Sequence, residues 1–299
     1  MPELPDITVY IEALETRICG SRLNDVRLQS PFLLRTADIS FDRIINKKVV
    51  ELRRIGKRIA IGFEGSYWLV FHLMIAGRFH WKSLSQKAPG KSALIIMTFD
   101  GGVLYLTEAG KKKRASLHLL QGEKNLSLQD PGGMVVDQLD LEAFSKLLTR
   151  SNHTLKRVLT DPRVFSGIGN AYSDEILHRA RLSPVKQSQK LSADEIKQLY
   201  QATKEVLQEW TNRLRNQCGD KFPEKVTAFH PDMAVHGKYD QPCLTCQSKV
   251  QRIRYASNET NYCPRCQTGG KLLADRALSK LLKKDWPKTI EELENKKNH

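Results

Sequence analysis

Two short stretches near the C-terminus, Cys243-Leu-Thr-Cys246 and Cys263-Pro-Arg-Cys266, decide the fold of the segment that contains them. Each stretch is a Cys-x2-Cys pair, and sixteen residues separate the two pairs. Four thiolates at this spacing can converge on one tetrahedral Zn²⁺, and the spacer is long enough for a β-hairpin. Because four sulfur ligands leave no open coordination position, such a metal would fold the segment and would not catalyse. Two disulfides are the alternative, which the absence of a visible secretory signal disfavours.

The residues on either side of the second cysteine pair support this interpretation. The alternating run Val250–Tyr255 and the polar turn Ser257–Thr260 predict the hairpin between the pairs. A basic run from Lys271 to Lys284 follows, and it is interpreted as a helix that docks on something through one apolar side. The last dozen positions, rich in Lys and Glu, are expected to be frayed and solvated.

Helices are predicted upstream of the cysteines, around the turn Gly167-Ile168-Gly169-Asn170. The helical segments are Leu139–Thr149, His153–Leu159, Ala171–Ala180 and a long helix that opens with the capping box Ser192-Ala193-Asp194-Glu195. A glycine-rich turn at a helix N-terminus exposes backbone N–H groups that can bind a phosphate. Taken alone, such a turn is more often a simple connection between helices.

Short β-rich runs fill the chain from Leu23 to about Leu120. The predicted strands are Val49–Leu52, Arg58–Phe63, Trp68–Leu73, Leu94–Phe99 and Val103–Leu106. Asp100-Gly101-Gly102 separates the last two runs and is a strong hairpin signal. Five or more strands of this kind predict a β-sandwich or barrel-like domain. The run Arg53–Arg58 is either solvated surface charge or a group that grips phosphate.

The chain begins Met1-Pro2-Glu3-Leu4-Pro5-Asp6 and enters a predicted helix over Asp6–Cys19, which Gly20 would end. Two prolines and two acids are a poor start for a helix that only needs to pack. If Met1 is removed, Pro2 becomes a free secondary amine with a carboxylate beside it. A neutral amine of this kind can act as a nucleophile.

The composition favours a nucleic-acid partner. The 299 residues include 48 Lys and Arg against 33 Asp and Glu, a formal net charge of +15. Such an excess favours polyanions, since each neutralised phosphate releases a counterion, although plain solubility is the simpler explanation. No apolar run is long enough to cross a membrane, and no secretory signal is visible. An intracellular, soluble protein without membrane association is therefore expected.

Taken in chain order, these features resemble the formamidopyrimidine-DNA glycosylase and endonuclease VIII family of base-excision repair enzymes. MPELPD at the N-terminus and GIGNAYSDE at Gly167–Glu175 are the most specific pieces of the resemblance. It extends from Met1 to about Gln267.

The resemblance implies an α+β multidomain protein that binds DNA in a groove between its domains. The expected parts are an N-terminal helix with a β-sandwich in residues 1–125, a helix–two-turn–helix domain in 126–237, a β-hairpin zinc finger in 238–270 and a basic extension in 271–299. The expected cofactor is one structural Zn²⁺ held by the four cysteines, with no catalytic metal or organic cofactor. The expected partner is DNA that contains damaged bases or abasic sites, bound by a monomer in the bacterial nucleoid or, in a eukaryote, the nucleus.

Several residues match the family's functional positions. The resemblance makes Pro2 the nucleophile, Glu3 the acid that manages proton transfers, and Lys57 a phosphate-holding residue near the lesion. Asn170 matches a phosphate-contacting asparagine, and Glu175 matches an acid that helps to place the amine. Asp6 stands where the family usually has glutamate, and it is expected to support the active site.

The residues that read the lesion match less well. Ile75 stands where a methionine that fills the vacated base position is usual, and the loop Glu108–Arg114 lacks the usual arginine–phenylalanine pair. Lys111 and Lys112 of this cationic loop could still touch DNA. In the hairpin, Asn258 replaces a phosphate-binding arginine, for which Arg252 or Arg254 could compensate.

Three functions remain open at this point. The first is a glycosylase with AP lyase activity that removes oxidised or ring-damaged bases through a proline iminium and β,δ-elimination. The second is a protein on the same scaffold that binds damaged or structured DNA and has weak glycosylase activity. The third is an unrelated basic zinc-ribbon protein that binds RNA or the ribosome. Intact Pro2 and Glu3 favour the first, since a pure binding protein has no need of them.

Overall fold

The computed structural model describes residues 1–86, 90, 92–110, 112–224, 229–255, 258–275, 279, 281, 284 and 286–297. The chain forms two compact units, the first from residues 1–132 and 209–227 and the second from residues 133–208 and 228–299. Within the described ranges, no helix is both long and apolar enough to span a membrane.

The first unit is a β-sandwich preceded by a helix. Helix α1 covers Leu4–Ile18, and the strands are β1 (Leu23–Leu28), β2 (Val49–Ile55), β3 (Arg58–Phe63), β4 (Tyr67–His72), β5 (Gly77–Lys82), β6 (Ala93–Phe99), β7 (Gly102–Glu108) and β8 (Ser116–Gln121). They form two four-stranded antiparallel sheets in the orders β1-β6-β7-β5 and β2-β3-β4-β8. The short helix α2 (Glu123–Ser127) follows β8. The sandwich prediction is confirmed.

The main hydrophobic core of this unit lies between the two sheets and α1. It includes Ile7, Leu14 and Ile18 from the helix, together with buried residues of both sheets. Ile11, at the same helical spacing, is only partly buried against the core. Burial of these side chains is the principal force that holds the helix on the sandwich.

Strand β4 is apolar along most of its length because both of its faces are covered. Leu69 and Phe71 belong to the main core, whereas Trp68 and Val70 form a second buried cluster with Leu126 of α2. A strand that is buried on one face only would alternate apolar and polar residues. Coverage by α2 therefore explains why the predicted strand Trp68–Leu73 is mostly apolar.

The second unit combines helices with a two-stranded hairpin. Its helices are α3 (Leu141–Thr149), α4 (Leu155–Thr160), α5 (Asn170–Arg179), the first part of α6 (Ala193–Cys218), α7 (Pro264–Thr268) and α8 (Ile290–Lys297), and its paired strands are β9 (Gln251–Tyr255) and β10 (Asn258–Tyr262). The capping box predicted at Ser192 is present. The Ser192 N–H donates to Glu195 Oε2 (2.9 Å), and the Glu195 N–H donates to Ser192 Oγ (3.2 Å).

The chain after Gly270 differs from its prediction. The described residues Lys271–Asp275 are not helical, because Lys271 forms an antiparallel bridge with Thr289 and the Leu272 N–H donates to Lys288 O (2.8 Å). Within residues 276–284 the structure describes Ser279 and Leu281, which are helical as predicted, and Lys284, whereas Leu278 and Leu282 lie outside the described residues. Leu281, from the apolar side that was predicted to dock, is 77% exposed. The end of the chain was predicted to fray, but α8 occupies Ile290–Lys297 and Ile290 is fully buried.

Candidate active site and zinc site

The MPELPD stretch folds into a reciprocal cap at the start of α1. The Glu3 side chain accepts the backbone N–H of Asp6, and Asp6 Oδ2 accepts the Glu3 N–H at 2.8 Å. The helix begins at Leu4, two residues earlier than predicted. Proline is tolerated at Pro5 because the N–H groups of the first helical turn have no partner within the helix. Pro2, Glu3 and Asp6 are all buried. The cap thus holds two buried carboxyl groups beside the N-terminus of the chain.

The surroundings of the N-terminus alter its acid–base properties. Burial lowers the pKa of the Met1 α-amino group below its ordinary value of 8.0; Glu3 and Asp6 oppose this shift, and the charges of Arg78 and Lys57 reinforce it. Burial raises the pKa of Asp6 to about 7, although the backbone N–H of Glu3 opposes this increase. A lowered amine pKa enlarges the neutral, nucleophilic fraction near pH 7.

Lys57 lies in a turn of the sandwich, whereas Arg78 lies at the start of a strand. Lys57 follows Gly56 in the two-residue connection between β2 and β3, where Gly56 has a φ of +59°. Arg78 is the second residue of β5, and its Nη1 donates to Gly77 O (2.6 Å) and Ile75 O (3.2 Å). The sequence predicted Lys57 as a site residue but gave no signal for Arg78. The charge of Arg78 lowers the pKa of the amine because the fold brings the two groups together.

Ile75 lies at the tip of the turn between β4 and β5. Its side chain is 55% exposed, and the Gly77 N–H closes the turn on Leu73 O at 2.9 Å. A Cβ atom at Gly77 would lie 2.3 Å from Leu73 O, so only glycine fits this turn. The exposed position is compatible with the predicted contact of Ile75 with DNA.

A buried acid anchors the basic loop after β7. The carboxylate of Glu108 accepts the backbone N–H groups of Arg114 (2.9 Å) and Ala115 (3.1 Å). Lys112, Lys113 and Arg114 are exposed. Lys111, which was predicted to touch DNA, lies outside the described residues.

The first unit contains a cavity of about 620 Å³ next to the cap. Its wall includes Asp6 and Val9 of α1, Trp81 of β5, and Cys218 and Phe222 at and after the end of α6. The Phe222 segment is fixed to α1, because Arg17 Nη2 donates to Asp220 O (2.6 Å). A second carboxyl group, that of Glu224, also lines the cavity. Walls of apolar and aromatic side chains with a few polar groups are typical of small-molecule sites.

In the second unit, the two acids of the GIGNAYSDE stretch organise the backbone. Asp174, which is buried, accepts from His236 Nδ1 (2.7 Å) and the Asn261 N–H (3.1 Å), and pairs with Lys156. Glu175 accepts the N–H groups of Ala234 (2.7 Å), Val235 (2.9 Å) and His236 (2.9 Å). Burial raises the pKa of Glu175, although these three N–H groups oppose the shift. Its predicted role toward the amine stays a prediction.

Asn170 is the first residue of α5, which begins one residue before its predicted start. Its Nδ2 donates to the carbonyl oxygen of Glu259 in β10 (2.7 Å), and its own carbonyl accepts from Lys156 Nζ (2.7 Å). A side-chain amide has two N–H donors, so this bond leaves donor capacity for a phosphate. The predicted phosphate contact of Asn170 stays a prediction.

The four predicted metal ligands converge. The sulfur atoms of Cys243, Cys246, Cys263 and Cys266 all lie within 4.8 Å of one another, and the Cys246–Cys263 and Cys243–Cys266 distances are 3.4 and 4.0 Å. A tetrahedron with Zn–S bonds of about 2.3 Å has edges of roughly 3.8 Å. The spacing and the four-sulfur donor set therefore fit a structural Zn²⁺.

His178 of α5 contacts this cluster. Its Nε2 lies 3.3 Å from Cys243 Sγ, and both residues are buried. We expect His178→Phe to accelerate zinc release by about tenfold, because groups that hydrogen-bond to a ligand stabilise the metal it binds. The measurement is zinc transfer to a coloured chelator, with Arg179→Ala on the same helix as control. Equal release from both variants would contradict the prediction.

The hairpin presents one basic face. Arg252 and Arg254 both lie near Glu259 Oε2, at 3.2 and 3.6 Å, and the Arg252 guanidinium lies 3.9 Å from the centre of the Tyr239 ring. The side chain of Asn258, which replaces the expected arginine, lies outside what the structure describes.

Comparison with protein families accounts for most of the chain. Residues 1–116 match the formamidopyrimidine-DNA glycosylase N-terminal domain, residues 131–216 match the H2TH domain of the same enzyme, and residues 240–269 match the zinc finger found in FPG and IleRS. The chain belongs to the formamidopyrimidine-DNA glycosylase and endonuclease VIII family. The resemblance inferred from the sequence is confirmed, and the matched finger supports a structural zinc ion.

Individual members of the family are distant relatives. The formamidopyrimidine-DNA glycosylase of Bacillus cereus is 28% identical over 278 residues, which cover 89% of this chain and 99% of that protein. The enzyme of Heliobacterium modesticaldum is 29% identical over 282 residues, covering 89% of this chain and all of the relative.

Solved structures of family members share the fold. The MutM (Fpg) protein of Thermus thermophilus aligns with a TM-score of 0.74 and 27% identity, over 89% of this chain and 98% of that one. Lactococcus lactis Fpg in complex with DNA that contains an abasic site aligns with a TM-score of 0.78 and 23% identity, over 89% and 99%.

Proposed function

We propose that this protein is a DNA glycosylase with AP lyase activity that removes oxidised or ring-damaged bases, using Pro2 as its nucleophile. The observation that carries the proposal is the reciprocal Glu3–Asp6 cap, which holds two buried carboxyl groups beside the N-terminus. Removal of Met1 would leave the amine on Pro2, one residue nearer these acids. The family relationship and the two unaltered residues Pro2 and Glu3 support the same chemistry.

The reaction begins when the neutral Pro2 nitrogen attacks C1′ of the damaged nucleotide. The N–C1′ bond forms, the N-glycosidic bond breaks, and the base departs with a proton. Glu3 protonates the sugar oxygen, which opens the ring and yields an iminium ion. A secondary amine gives an iminium that has no neutral imine form, so its positive charge persists as an electron sink.

Strand cleavage follows from this charge. Loss of the C2′ proton expels the 3′ phosphate, and a second elimination expels the 5′ phosphate. Lys57 and Asn170 hold phosphates around the lesion in this proposal, Asp6 supports the cap, and Glu175 fixes the backbone of the second unit. Ile75 and Lys112 contact the DNA near the vacated base position.

The cavity beside Asp6 is the proposed receptor for the displaced base. Its volume of about 620 Å³ lies in the range of small-ligand pockets, and Trp81 and Phe222 offer aromatic surface. A base enters it only after leaving the stack, which costs a few kcal/mol and costs least for damaged or single-stranded bases.

We expect activity to favour lesions that are easy to extrude, namely hydantoins, ring-opened or saturated bases, and abasic sites. The Glu108–Arg114 loop has no aromatic residue that could fill the vacated space, so extrusion of a well-stacked base gains little support. Single-turnover rates on hydantoin and 8-oxoguanine, in duplex and in single strands at one salt concentration, test this order.

Two variants serve as references in this assay. Glu3→Gln should slow base removal more than cleavage at preformed abasic sites, while Glu15→Gln, on the exposed side of α1, should behave as wild type. Preference for 8-oxoguanine opposite cytosine in duplex DNA would contradict the proposed specificity. Tight binding of every lesion without cleavage of any would instead favour a damage-binding protein.

A further inference from the structure

The C-terminal extension, residues 271–299, lies beyond the family models, the last of which ends at residue 269. It nevertheless folds back onto the finger. The Ile290 N–H donates to Gly270 O (2.9 Å), just after the helix that contains Cys266, and the Lys271–Thr289 bridge joins the start of the extension to the residue before α8. Ile290 is fully buried. The extension is therefore part of the finger's own fold.

Asp275 contacts the hairpin through its side chain. Its side chain is 3% exposed, and Oδ2 accepts the backbone N–H of Arg254 in β9 at 2.8 Å. Close by, the Leu273 N–H donates to the hydroxyl of Tyr262 in β10 at 2.8 Å. Strand β9 pairs only with β10 among the described strands. The extension thus supplies an acceptor to a two-stranded hairpin, which is marginally stable by itself.

The side chain of Arg254 is better placed for a ligand than that of Arg252. Arg254 is 60% exposed and its Nε lies 3.6 Å from Glu259, beyond hydrogen-bond distance. Arg252 is 27% exposed, lies closer to the same carboxylate and stacks on the Tyr239 ring. A phosphate that binds Arg254 would therefore break fewer existing contacts than a phosphate that binds Arg252.

We propose that Asp275 is a positioning residue that holds the β9 backbone, so that Arg254 contacts a DNA phosphate. The extension thus supports the DNA-binding hairpin. This support comes from outside the segment that matches the family's zinc finger. This inference rests on the proposed function, because it requires that the hairpin bind DNA.

The test compares Asp275→Ala with Asp275→Asn in the full-length, zinc-loaded protein. Binding to a duplex with a stable abasic-site analogue is measured across a series of salt concentrations. Asp275→Ala should weaken binding about fivefold. It should also reduce the salt slope, which is the steepness of the fall of log K with log salt concentration, by roughly 0.9, the value of one phosphate contact. Asp275→Asn retains an oxygen acceptor and should restore both quantities.

A double-mutant cycle shows whether Asp275 acts through Arg254. Arg254→Gln should reproduce the lost salt slope, and adding Asp275→Ala to it should cause little further loss, since both changes remove one contact. Asp194→Asn removes an equal charge from an exposed site of the same unit and should leave the slope unchanged.

Several outcomes would overturn the inference. A full salt slope in Asp275→Ala or in Arg254→Gln, additive losses in the double variant, or no recovery in Asp275→Asn would each do so. If Asp275→Ala releases zinc, Asp275→Asn must keep both the zinc and the slope, and Arg254→Gln must still lose the slope. Failure of the wild-type protein to bind damaged DNA would instead refute the proposed function.

Discussion

Pro2→Gly should reduce borohydride-trapped protein–DNA adduct by roughly two orders of magnitude, the scale on which alteration of a positioned catalytic group lowers a rate. Reduction traps an iminium as a stable amine, so the adduct measures the covalent intermediate directly. Glycine at the terminus offers a primary amine, whose imine loses its charge at neutral pH and is a weaker electron sink. The substrate is an oligonucleotide with one abasic site, and the readout is the shifted band in a denaturing gel.

An N-terminally extended protein that retains Met1 is the sharper form of the same test. Its Pro2 nitrogen is an amide and cannot attack, although every side chain of the site is kept. We expect no adduct from this protein, whereas Glu15→Gln should trap as efficiently as wild type. Equal trapping by the extended protein would show that another amine is the nucleophile.

Cys263→Ser should release the metal and unfold the finger. The purified, reduced protein is expected to hold about one zinc per chain, because four thiolates form one closed site. Zinc binding contributes on the order of 10 kcal/mol to the folding of small fingers, so three remaining ligands leave little support for the hairpin. Metal content and salt-dependent DNA binding should both fall, while the first unit keeps its own core.

Cys218→Ser is the matched control for the zinc experiment. Cys218 belongs to the first unit and is absent from the sulfur cluster, so its substitution should leave the zinc content unchanged. Thermal unfolding followed by tryptophan fluorescence can monitor the first unit, which contains Trp68, Trp81 and Trp210. Metal analysis that finds no zinc in freshly reduced wild-type protein would refute the site.

The sequence predicted those features whose interacting residues lie close together in the chain. The capping box at Ser192, the hairpin at Asp100-Gly101-Gly102 and the paired cysteines were all predicted because their partners lie within a few residues or follow a fixed spacing. Strands β1, β5 and β8 were missed, and β8 is a strand because it pairs with β4. Asn24, Asp25 and the charged or polar residues of β5 are weak strand formers, and these segments are strands because β6 and β7 offer edges to pair with.

The site was predicted less completely than the fold. Pro2, Glu3 and Lys57 could be named from motifs, but the links from Asp174 to His236 and Asn261 join residues that are far apart in the sequence. Arg78 acts on the amine only because β5 lies beside the helix terminus. No periodicity encodes such contacts, since they arise from how the strands and loops pack.

The Glu108 anchor lowers the entropic cost of DNA binding. A loop that orders only when it meets its ligand loses backbone entropy at that moment, roughly 1–2 kcal/mol per residue. Because Glu108 already fixes the N–H groups of Arg114 and Ala115, that entropy is lost during folding of the protein itself. The positive charges of this segment therefore meet the polyanion on a preorganised backbone, which favours binding without adding a single contact.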